Sequence, residues 1–328
     1  MGRHNLTALV VLILLMAVWP WVIGIHSYWI NVFVFVGLHG LIAIGLSLLM
    51  GYAGQISLGH GGFFGLGAYI SGLLSTLLHW NPWFSLAAAL GLTALAAMLI
   101  GIPSLRLRGH YLAMATLAFG EIVVIAFNAE VELTGGPSGF GQIPRLSILG
   151  FPLKDDLIFY YFVWILVIVA LAGALNLIHS RVGRALRSIH GGETAANAMG
   201  INTAAYKVQV FVLSAVLAAL AGGLYAHYVT FVSPTICEIK FSVILVVMVA
   251  VGGMTSVWGA LLGAAVLTIL PEFLTVFEDL DILVYGMILM LIMIFAPRGL
   301  FGWVVNGSGW IRRLSAGSAR RGWKADRA

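Results

Sequence analysis

Four polar side chains in the apolar part of this chain could bind or guide a polar solute: Gln55, Ser57, His60 and Glu121. The first three fall in a glycine-rich run, where glycines would leave backbone groups free to meet a solute. Glu121 lies near the middle of a long apolar segment, where a carboxylate costs roughly 3 kcal/mol and usually faces the bundle interior or a wet cavity. We therefore expect these residues to line a translocation pathway. The alternatives are close helix packing and structural interhelical hydrogen bonds.

Several other chemistries are excluded by motifs that the sequence lacks. No lysine follows a glycine, so the phosphate-cradling G-x-x-x-x-G-K-[ST] loop is absent, and the chain cannot hydrolyse ATP by that route. There is no G-x-S-x-G or H-E-x-x-H motif, and a single cysteine, Cys237, permits no internal disulfide. An intramembrane enzyme that used His60 and Glu121 would lack a further clustered nucleophile or metal ligand. We expect no catalytic residue, metal or cofactor.

The composition indicates that lipid surrounds most of the chain. Of 328 residues, 61% are apolar and only 9% are charged, whereas about a quarter of a typical soluble domain is charged. No Lys, Arg, Asp or Glu occurs between Arg3 and Arg106, a stretch that is long enough for several membrane crossings. The seventeen basic residues are too few and too scattered for a nucleic-acid-binding surface. The chain is therefore predicted to be an integral membrane protein with no nucleic-acid partner.

Apolar segments of about 20 residues can cross a bilayer as helices. We predict an all-α, polytopic bundle of about ten transmembrane helices, the first of them retained because no signal-peptide cleavage pattern follows it. The predicted spans are 6–25, 32–50, 55–78, 84–103, 111–129, 157–179, 208–231, 241–257, 259–276 and 282–297. The segments 241–257 and 259–276 are short and separated only by glycine-rich sequence, so they are either two spans or a re-entrant pair.

The distribution of basic residues orients these spans. With the N-terminus in the cytoplasm, fourteen of the seventeen Lys and Arg residues fall on the cytoplasmic side, and only Arg145, Lys154 and Lys240 fall outside. Because short cytoplasmic loops are enriched in Lys and Arg, this split predicts that both termini are cytoplasmic. Residues 1–300 are predicted to form the membrane domain. Residues 301–328 are predicted to form a basic, flexible tail that lies near anionic lipid.

Two sets of three glycines share the same spacing, which indicates either an internal repeat or a coincidence in a glycine-rich chain. The spacings are seven and four residues, and the sets are Gly54, Gly61, Gly65 and Gly252, Gly259, Gly263. Each set ends in a G-x-x-x-G motif, which lets two membrane helices approach closely. We expect these two motifs to pack helices against each other or against neighbours.

The predicted cytoplasmic loop 180–207 has features of a docking surface. Residues 181–190 could form a short amphipathic helix. Its apolar stripe would consist of Val182, Ala185, Leu186 and Ile189. Three arginines would surround this stripe: Arg181, Arg184 and Arg187. Because a loop that merely connects two spans needs no organised stripe, we favour docking of a cytoplasmic partner over a solvated, positively charged loop.

Four segments of the chain carry a family resemblance. They are Gly51–Tyr69, Arg106–Glu121, residues 133–139 (LTGGPSG) and Arg181–Gly200. In this order they resemble the permease subunits of ABC importers for branched-chain amino acids, and the similarity covers about residues 30–300. The resemblance implies a permease that forms half of a translocation pathway for leucine, isoleucine and valine, while separate subunits hydrolyse ATP.

The resemblance also implies partners and a coupling loop. Such permeases of the bacterial inner membrane pair with a second homologous permease, two cytoplasmic ATP-binding subunits and a periplasmic solute-binding protein. The family's ATPase-coupling loop maps to Arg181, Gly183, Arg184, Arg187, Glu193, Ala195, Ala196 and Gly200. We expect Gly200 at a turn, and Gly191-Gly192 to loosen the coupling helix by about 1 kcal/mol each relative to alanine.

Two alternative functions remain at the level of the sequence. Related permeases carry urea, amides or other small polar solutes. A stand-alone secondary transporter or channel is a different class, and it would need no docking loop for an ATPase.

Overall fold

The computed structural model of this chain describes residues 3–24, 28–107, 109–148, 151–152, 155–274, 286–287, 289–292, 294 and 299–302. The predicted span 282–297 therefore falls largely outside the described residues. Arg108, Lys154, Arg298 and the basic tail from residue 303 onward also lie outside them.

Up to Leu274, the described residues form twelve α-helices. The long ones are α1 (Arg3–Ile23), α2 (Tyr28–Leu46), α3 (His60–Thr76), α4 (Pro82–Ser104), α5 (His110–Ala129), α7 (Asp156–His179), α10 (Thr203–Val229), α11 (Ile239–Gly252) and α12 (Val257–Leu274). The short ones are α6 (Val131–Thr134), α8 (Arg181–Gly191) and α9 (Glu193–Ala198). A π-helical turn, Ser47–Tyr52, extends α2, and 3₁₀ turns form at Gly136–Ser138 and Pro234–Cys237.

Four two-residue strands lie at one end of the bundle. They are β1 (Phe140–Gly141), β2 (Ser147–Ile148), β3 (Phe151–Pro152) and β4 (Phe231–Val232). β1 pairs antiparallel with β4, and β2 pairs antiparallel with β3. The first pairing ties the segment between α5 and α7 to the end of α10.

Eight helical segments of the described chain are long and apolar enough to cross a membrane, which confirms the all-α polytopic bundle. They are 5–22, 28–52, 82–104, 110–129, 156–179, 203–229, 234–252 and 257–274. α11 and α12 are separate helices joined by a four-residue turn, and the choice between two spans and a re-entrant pair stays a prediction.

The prediction that one span begins at residue 55 is wrong, because α3 begins only at His60. Gly54 has a φ of +67°, and the backbone from there to Gly59 is not helical. α3 has 17 residues, so its rise is about 25 Å. It is mostly buried, and α4, α5 and α10 pack against it.

α2 is the central helix, and nearly all of its side chains are buried. Glycines let its neighbours approach closely. A Cβ on Gly37 would lie 2.5 Å from Val163 Cγ1 of α7, and one on Gly45 would lie 3.0 Å from Ser214 Oγ of α10. The core of the molecule therefore forms around α2, with α7, α10 and α12 against it.

α3 and α10 cross with their backbones in contact. A Cβ on Gly222 would overlap Phe64 O, and a Cβ on Gly67 would overlap Ala219 O. Such close approach is how small residues stabilise helix pairs in membranes, where lipid competes equally for apolar side chains.

The two G-x-x-x-G motifs pack against the same segment, Pro234–Gly252. A Cβ on Gly61 would lie 2.6 Å from Ser242 Oγ, and one on Gly65 would lie 2.7 Å from Cys237 Cβ. A Cβ on Gly259 would lie 2.5 Å from the carbonyl oxygen of Gly252, and one on Gly263 would overlap Met248 O. The first glycines of the two sets differ, since Gly54 lies in irregular backbone and Gly252 in a helix, so the internal repeat stays a prediction.

α1 lies at the periphery but is joined to α7 at one defined level. Pro20 has no N–H, so the carbonyl of Met16 loses its usual partner within the helix. Tyr160 Oη donates a hydrogen bond to Met16 O at 2.9 Å, and Tyr161 Oη donates to Ala17 O at 3.1 Å. Tyr160 therefore satisfies the one backbone acceptor that Pro20 leaves without its helical donor.

We predict that Gly222→Ala destabilises the bundle, because the new Cβ would force α3 and α10 apart. The expected loss is about 2 kcal/mol of unfolding free energy, measurable as a lower thermal midpoint in detergent. The matched control is Gly173→Ala in α7, where a Cβ meets no atom within 4 Å. That variant should keep the midpoint or raise it slightly, since alanine favours helices. Equal losses in both variants would contradict the close crossing.

Candidate functional site

Gln55 and Ser57 lie in a helix break at residues 53–59, between the π-helical turn that extends α2 and the start of α3. Because lipid offers no water to backbone amides, irregular backbone at membrane depth needs hydrogen-bond partners from protein. Leu58 N donates to Thr116 Oγ1 of α5 at 3.0 Å. Gly61 N, just beyond the break, donates to Ser242 Oγ of α11 at 3.0 Å. Side chains of neighbouring helices therefore satisfy two backbone amides at this break.

His60 joins this break to α10. Its ring is only 1% exposed, with Nδ1 3.1 Å from Ser57 Oγ and Nε2 2.7 Å from Ser214 Oγ. A neutral imidazole has one donor and one acceptor, and hydroxyl groups can serve both. The geometry of Ser57 and His60 matches interhelical hydrogen bonding, the alternative to an open position in a pathway.

Gln55 and Glu121 are half-buried and lie outside that hydrogen-bonded cluster. Gln55 Nε2 donates to Ala53 O at 3.0 Å. Within the described chain, Glu121 makes no hydrogen bond or ion pair, and none joins it to His60. The structure therefore does not assemble the His60–Glu121 pair that an intramembrane enzyme would use. Among the described residues, no group of three His, Cys, Asp or Glu could hold a metal ion.

The predicted amphipathic helix is confirmed as α8. Ser180 caps it, since its Oγ accepts a hydrogen bond from Val182 N at 3.1 Å. The buried residues of α8 pack towards α7, α10 and the π-helical turn: Gly183, Ala185, Leu186 and Ile189. The apolar stripe thus attaches α8 to its own bundle and is not itself exposed to a partner.

The outward surface of α8 carries charge. Arg181, Arg184 and Arg187 are all exposed. Arg181 and Arg184 line an open cavity of about 470 Å³, which Gly200 and Tyr206 also line. Gly200 has a φ of +81°, which confirms the predicted turn. We call the surface formed by the three arginines and Gly200 the docking face.

A buried lysine attaches α9 to the bundle. The charge distribution predicted this residue, Lys207, in the cytoplasmic loop 180–207. Lys207 lies near the start of α10 and is only 2% exposed. Its Nζ donates to Glu193 Oε1 at 2.8 Å and to Leu105 O, at the end of α4, at 2.8 Å. Of the two predicted coupling alanines, Ala196 is buried and Ala195 is exposed. Glu193 therefore contacts its own chain, and an intermolecular role for it stays a prediction.

α8 also reaches the helix break. A Cβ on Gly54 would lie 2.9 Å from His190 Nδ1 of α8. Ser47 Oγ of the π-helical turn donates to Met254 O at 3.2 Å, which brings the α11–α12 turn to the same place. The loop that contains α8 and α9, the helix break and the α11–α12 turn therefore meet at one end of the bundle.

These features define a polytopic membrane protein whose bundle has an organised, positively charged surface at one end. The chain belongs to the family described as branched-chain amino acid transport system / permease component, whose family model matches residues 28–296.

Individual relatives agree with this family. The chain is 33% identical to the high-affinity branched-chain amino acid transport system permease protein LivM of Escherichia coli (strain K12), over 89% of this chain and 74% of the relative. It is 23% identical to a probable branched-chain amino acid transport permease protein LivM of Methanocaldococcus jannaschii, over 80% of this chain and 90% of the relative. It is 27% identical to the high-affinity branched-chain amino acid transport system permease protein BraD of Pseudomonas aeruginosa, over 80% of this chain and 91% of the relative. No solved structure matches the chain.

We predict that Lys207 and Glu193 are energetically coupled. Lys207→Met removes the ammonium that contacts both Glu193 and Leu105 O, and should lower the unfolding free energy by about 2 kcal/mol. The double variant with Glu193→Gln should lose less than the sum of the single losses, by at least about 1 kcal/mol. Denaturant unfolding in detergent measures this cycle. The exposed Arg187→Gln is the control and should change stability little. Strictly additive losses would contradict the coupling.

Proposed function

We propose that this chain is the permease subunit of an ATP-driven importer that moves leucine, isoleucine and valine across the bacterial inner membrane. The docking face carries the proposal, because it combines three exposed arginines with a sharp turn at Gly200. The buried stripe of α8 and the Lys207–Glu193 ion pair hold this face to the bundle. A permease moved by a separate ATPase needs such a stiff, exposed attachment point.

In this proposal, the complete transporter contains a second homologous permease, two cytoplasmic ATP-binding subunits and a periplasmic solute-binding protein. Both termini and the docking face are cytoplasmic, and the separate subunits hydrolyse ATP. The family supports a transport role for the chain, and the missing phosphate-cradling loop supports a non-catalytic one. The membrane domain is 1–300, and the basic tail would lie near anionic lipid.

The contacts of the loop suggest how its movement would reach the pathway. α8 touches the helix break through His190 and Gly54, and the break leads directly into α3. α9 is tied to α10 through Glu193 and Lys207. Because α3 and α10 cross with their backbones in contact, a push on either should move both as one rigid body. Closure of the ATPase pair would thus switch access to the pathway.

The four polar residues take two different roles in this proposal. Ser57 and His60 hold the break to α10 and act as positioning residues. Gln55 and Glu121 are half-buried and remain the candidates to line the pathway itself.

The alternative functions have less support. The relatives described above are named for branched-chain amino acids, which favours these substrates over urea or amides. A stand-alone transporter or channel would have no use for the docking face.

We predict that changes in the docking face weaken the hold on the ATPase without unfolding the permease. Arg184→Glu reverses an exposed charge, and Gly200→Ala strains a left-handed turn by about 1 kcal/mol. Both should lower co-purification with the ATP-binding subunits and leucine uptake several-fold. Arg184→Lys keeps the charge, and Gly191→Ala adds a Cβ in open space to a helical glycine, so both controls should behave as wild type. Normal co-purification and uptake in Arg184→Glu and Gly200→Ala would mean that this loop only connects two helices and does not dock the ATPase.

The orientation predicts which surfaces a membrane-impermeant thiol reagent can reach. In a Cys237→Ser background, Ser188→Cys in α8 should react only from the cytoplasmic side, and Ser138→Cys only from outside. Both serines are exposed, so neither label requires unfolding. The measurement compares labelling of intact cells with that of inverted membrane vesicles. Labelling of both positions from the same side would break the predicted orientation.

A further inference from the structure

A cavity of about 480 Å³ lies between α2, α11 and α12. This volume falls within the range of about 300–1,000 Å³ that is usual for small-ligand sites. Its lining is largely apolar and includes Val32, Phe35, Phe241, Ile244, Met248 and Leu267. We call it the α2–α11–α12 groove.

Two opposite charges line this groove at one end. Lys240 lies at the start of α11 and Glu272 near the end of α12. Tyr28, the first residue of α2, donates a hydrogen bond from its Oη to Glu272 Oε2 at 2.7 Å. In the described chain, no carboxylate lies within ion-pairing distance of Lys240 Nζ, so Lys240 and Glu272 are not paired with each other. An ammonium and a carboxylate thus line one apolar space without forming an ion pair with each other.

This charged end is opposite to the docking face. The first turns of α2 and α11 and the last turn of α12 form it, whereas α8 lies against the π-helical turn that follows α2. In the proposed orientation, the charged end faces outward, where a solute from a periplasmic binding protein would arrive.

The groove continues towards a second cavity of about 280 Å³. Phe35, His39 and Phe241 line both cavities. His39 is held in place, because its Nδ1 lies 2.8 Å from Thr268 Oγ1. The Phe241 ring, which lines both cavities, has its centroid 5.0 Å from that of Phe64, which lines only the second cavity.

We propose that the α2–α11–α12 groove binds a zwitterionic amino acid with an aliphatic side chain, on its way into the membrane. The Lys240 ammonium would pair with the α-carboxylate and the Glu272 carboxylate with the α-ammonium. The aliphatic side chain would lie on Ile244 and Leu267, which explains an apolar floor beneath two charges. This inference rests on the proposed function and assigns the site within it.

The test measures protection of a cysteine in the groove. The complete transporter, in native membranes and a Cys237→Ser background, carries Ile244→Cys, and 2-aminoethyl methanethiosulfonate reports its accessibility. L-leucine at about ten times its Kd should slow the reaction about 10-fold, because only the empty site reacts. 4-Methylpentanoate lacks the ammonium and 3-methylbutylamine lacks the carboxylate, so each should protect much less. Ser138→Cys, outside the groove, should react equally with and without leucine.

Charge variants assign the two ends of the ligand. Lys240→Gln and Glu272→Gln should each raise the leucine concentration for half-protection, and the KM of leucine uptake, by about 10-fold. Lys240→Arg keeps the charge in a different geometry and should lose less affinity than Lys240→Gln. Glu238→Gln is the matched control, because Glu238 is an exposed carboxylate near the same end that does not line the groove.

The outcomes separate this inference from the proposed function. If the wild-type complex takes up leucine but leucine gives no protection, the groove assignment is overturned and the function stands. Equal protection by 4-methylpentanoate and leucine, with Glu272→Gln unchanged, would make the groove an anion or lipid-headgroup contact and overturn the inference. Loss of reactivity that depends on the second permease and not on leucine would make it a subunit interface instead. A wild-type chain that neither binds an ATPase nor supports uptake would overturn the proposed function itself.

Discussion

The hydrogen bonds around residues 53–59 are the constraint on which the rest of this bundle depends. A buried backbone amide without a partner costs several kcal/mol, so the buried part of this helix break, at Ser57 and Gly59, requires partners from other helices. Thr116 of α5 and Ser242 of α11 accept hydrogen bonds from backbone amides at the break. Ser214 of α10 holds His60 beside them. The break is therefore stable only when those three helices are in place, and it fixes their positions in turn.

Backbone contact and charge pairing then make one end of the molecule stiff. Glycines bring the backbones of α3 and α10 into direct contact, so the two helices cannot slide past each other. Lys207 adds a short, partly buried link from α10 to α9 and to the end of α4. The loop that contains α8 and α9 and the bundle helices thus share contacts that are too close to deform gradually. A force on the loop would shift whole helices.

The sequence predicted those features for which burial requires a certain helix length or a periodic pattern of apolar residues. It predicted the spans that the structure describes, and the apolar stripe of α8, because both follow from burial along one helix. The start of α3 escaped prediction, since the predicted span included residues 55–59, a glycine-rich run that the structure leaves non-helical. The sequence also did not predict the hydrogen-bond partners of His60 and Lys207. Ser214 is 154 residues from His60, and Glu193 belongs to a different helix from Lys207, so no local spacing reveals either contact.

The proline in α1 has a consequence for the order of assembly during synthesis. Tyr160, which satisfies the carbonyl of Met16, is 144 residues downstream, and at about 5–20 residues per second its synthesis follows on the order of ten seconds later. Until then, the Met16 carbonyl has no partner from its own helix backbone, and lipid cannot supply one. Water or another protein would have to supply that partner until α7 arrives. The final position of α1 is set by a tyrosine hydroxyl made nearly half a chain later.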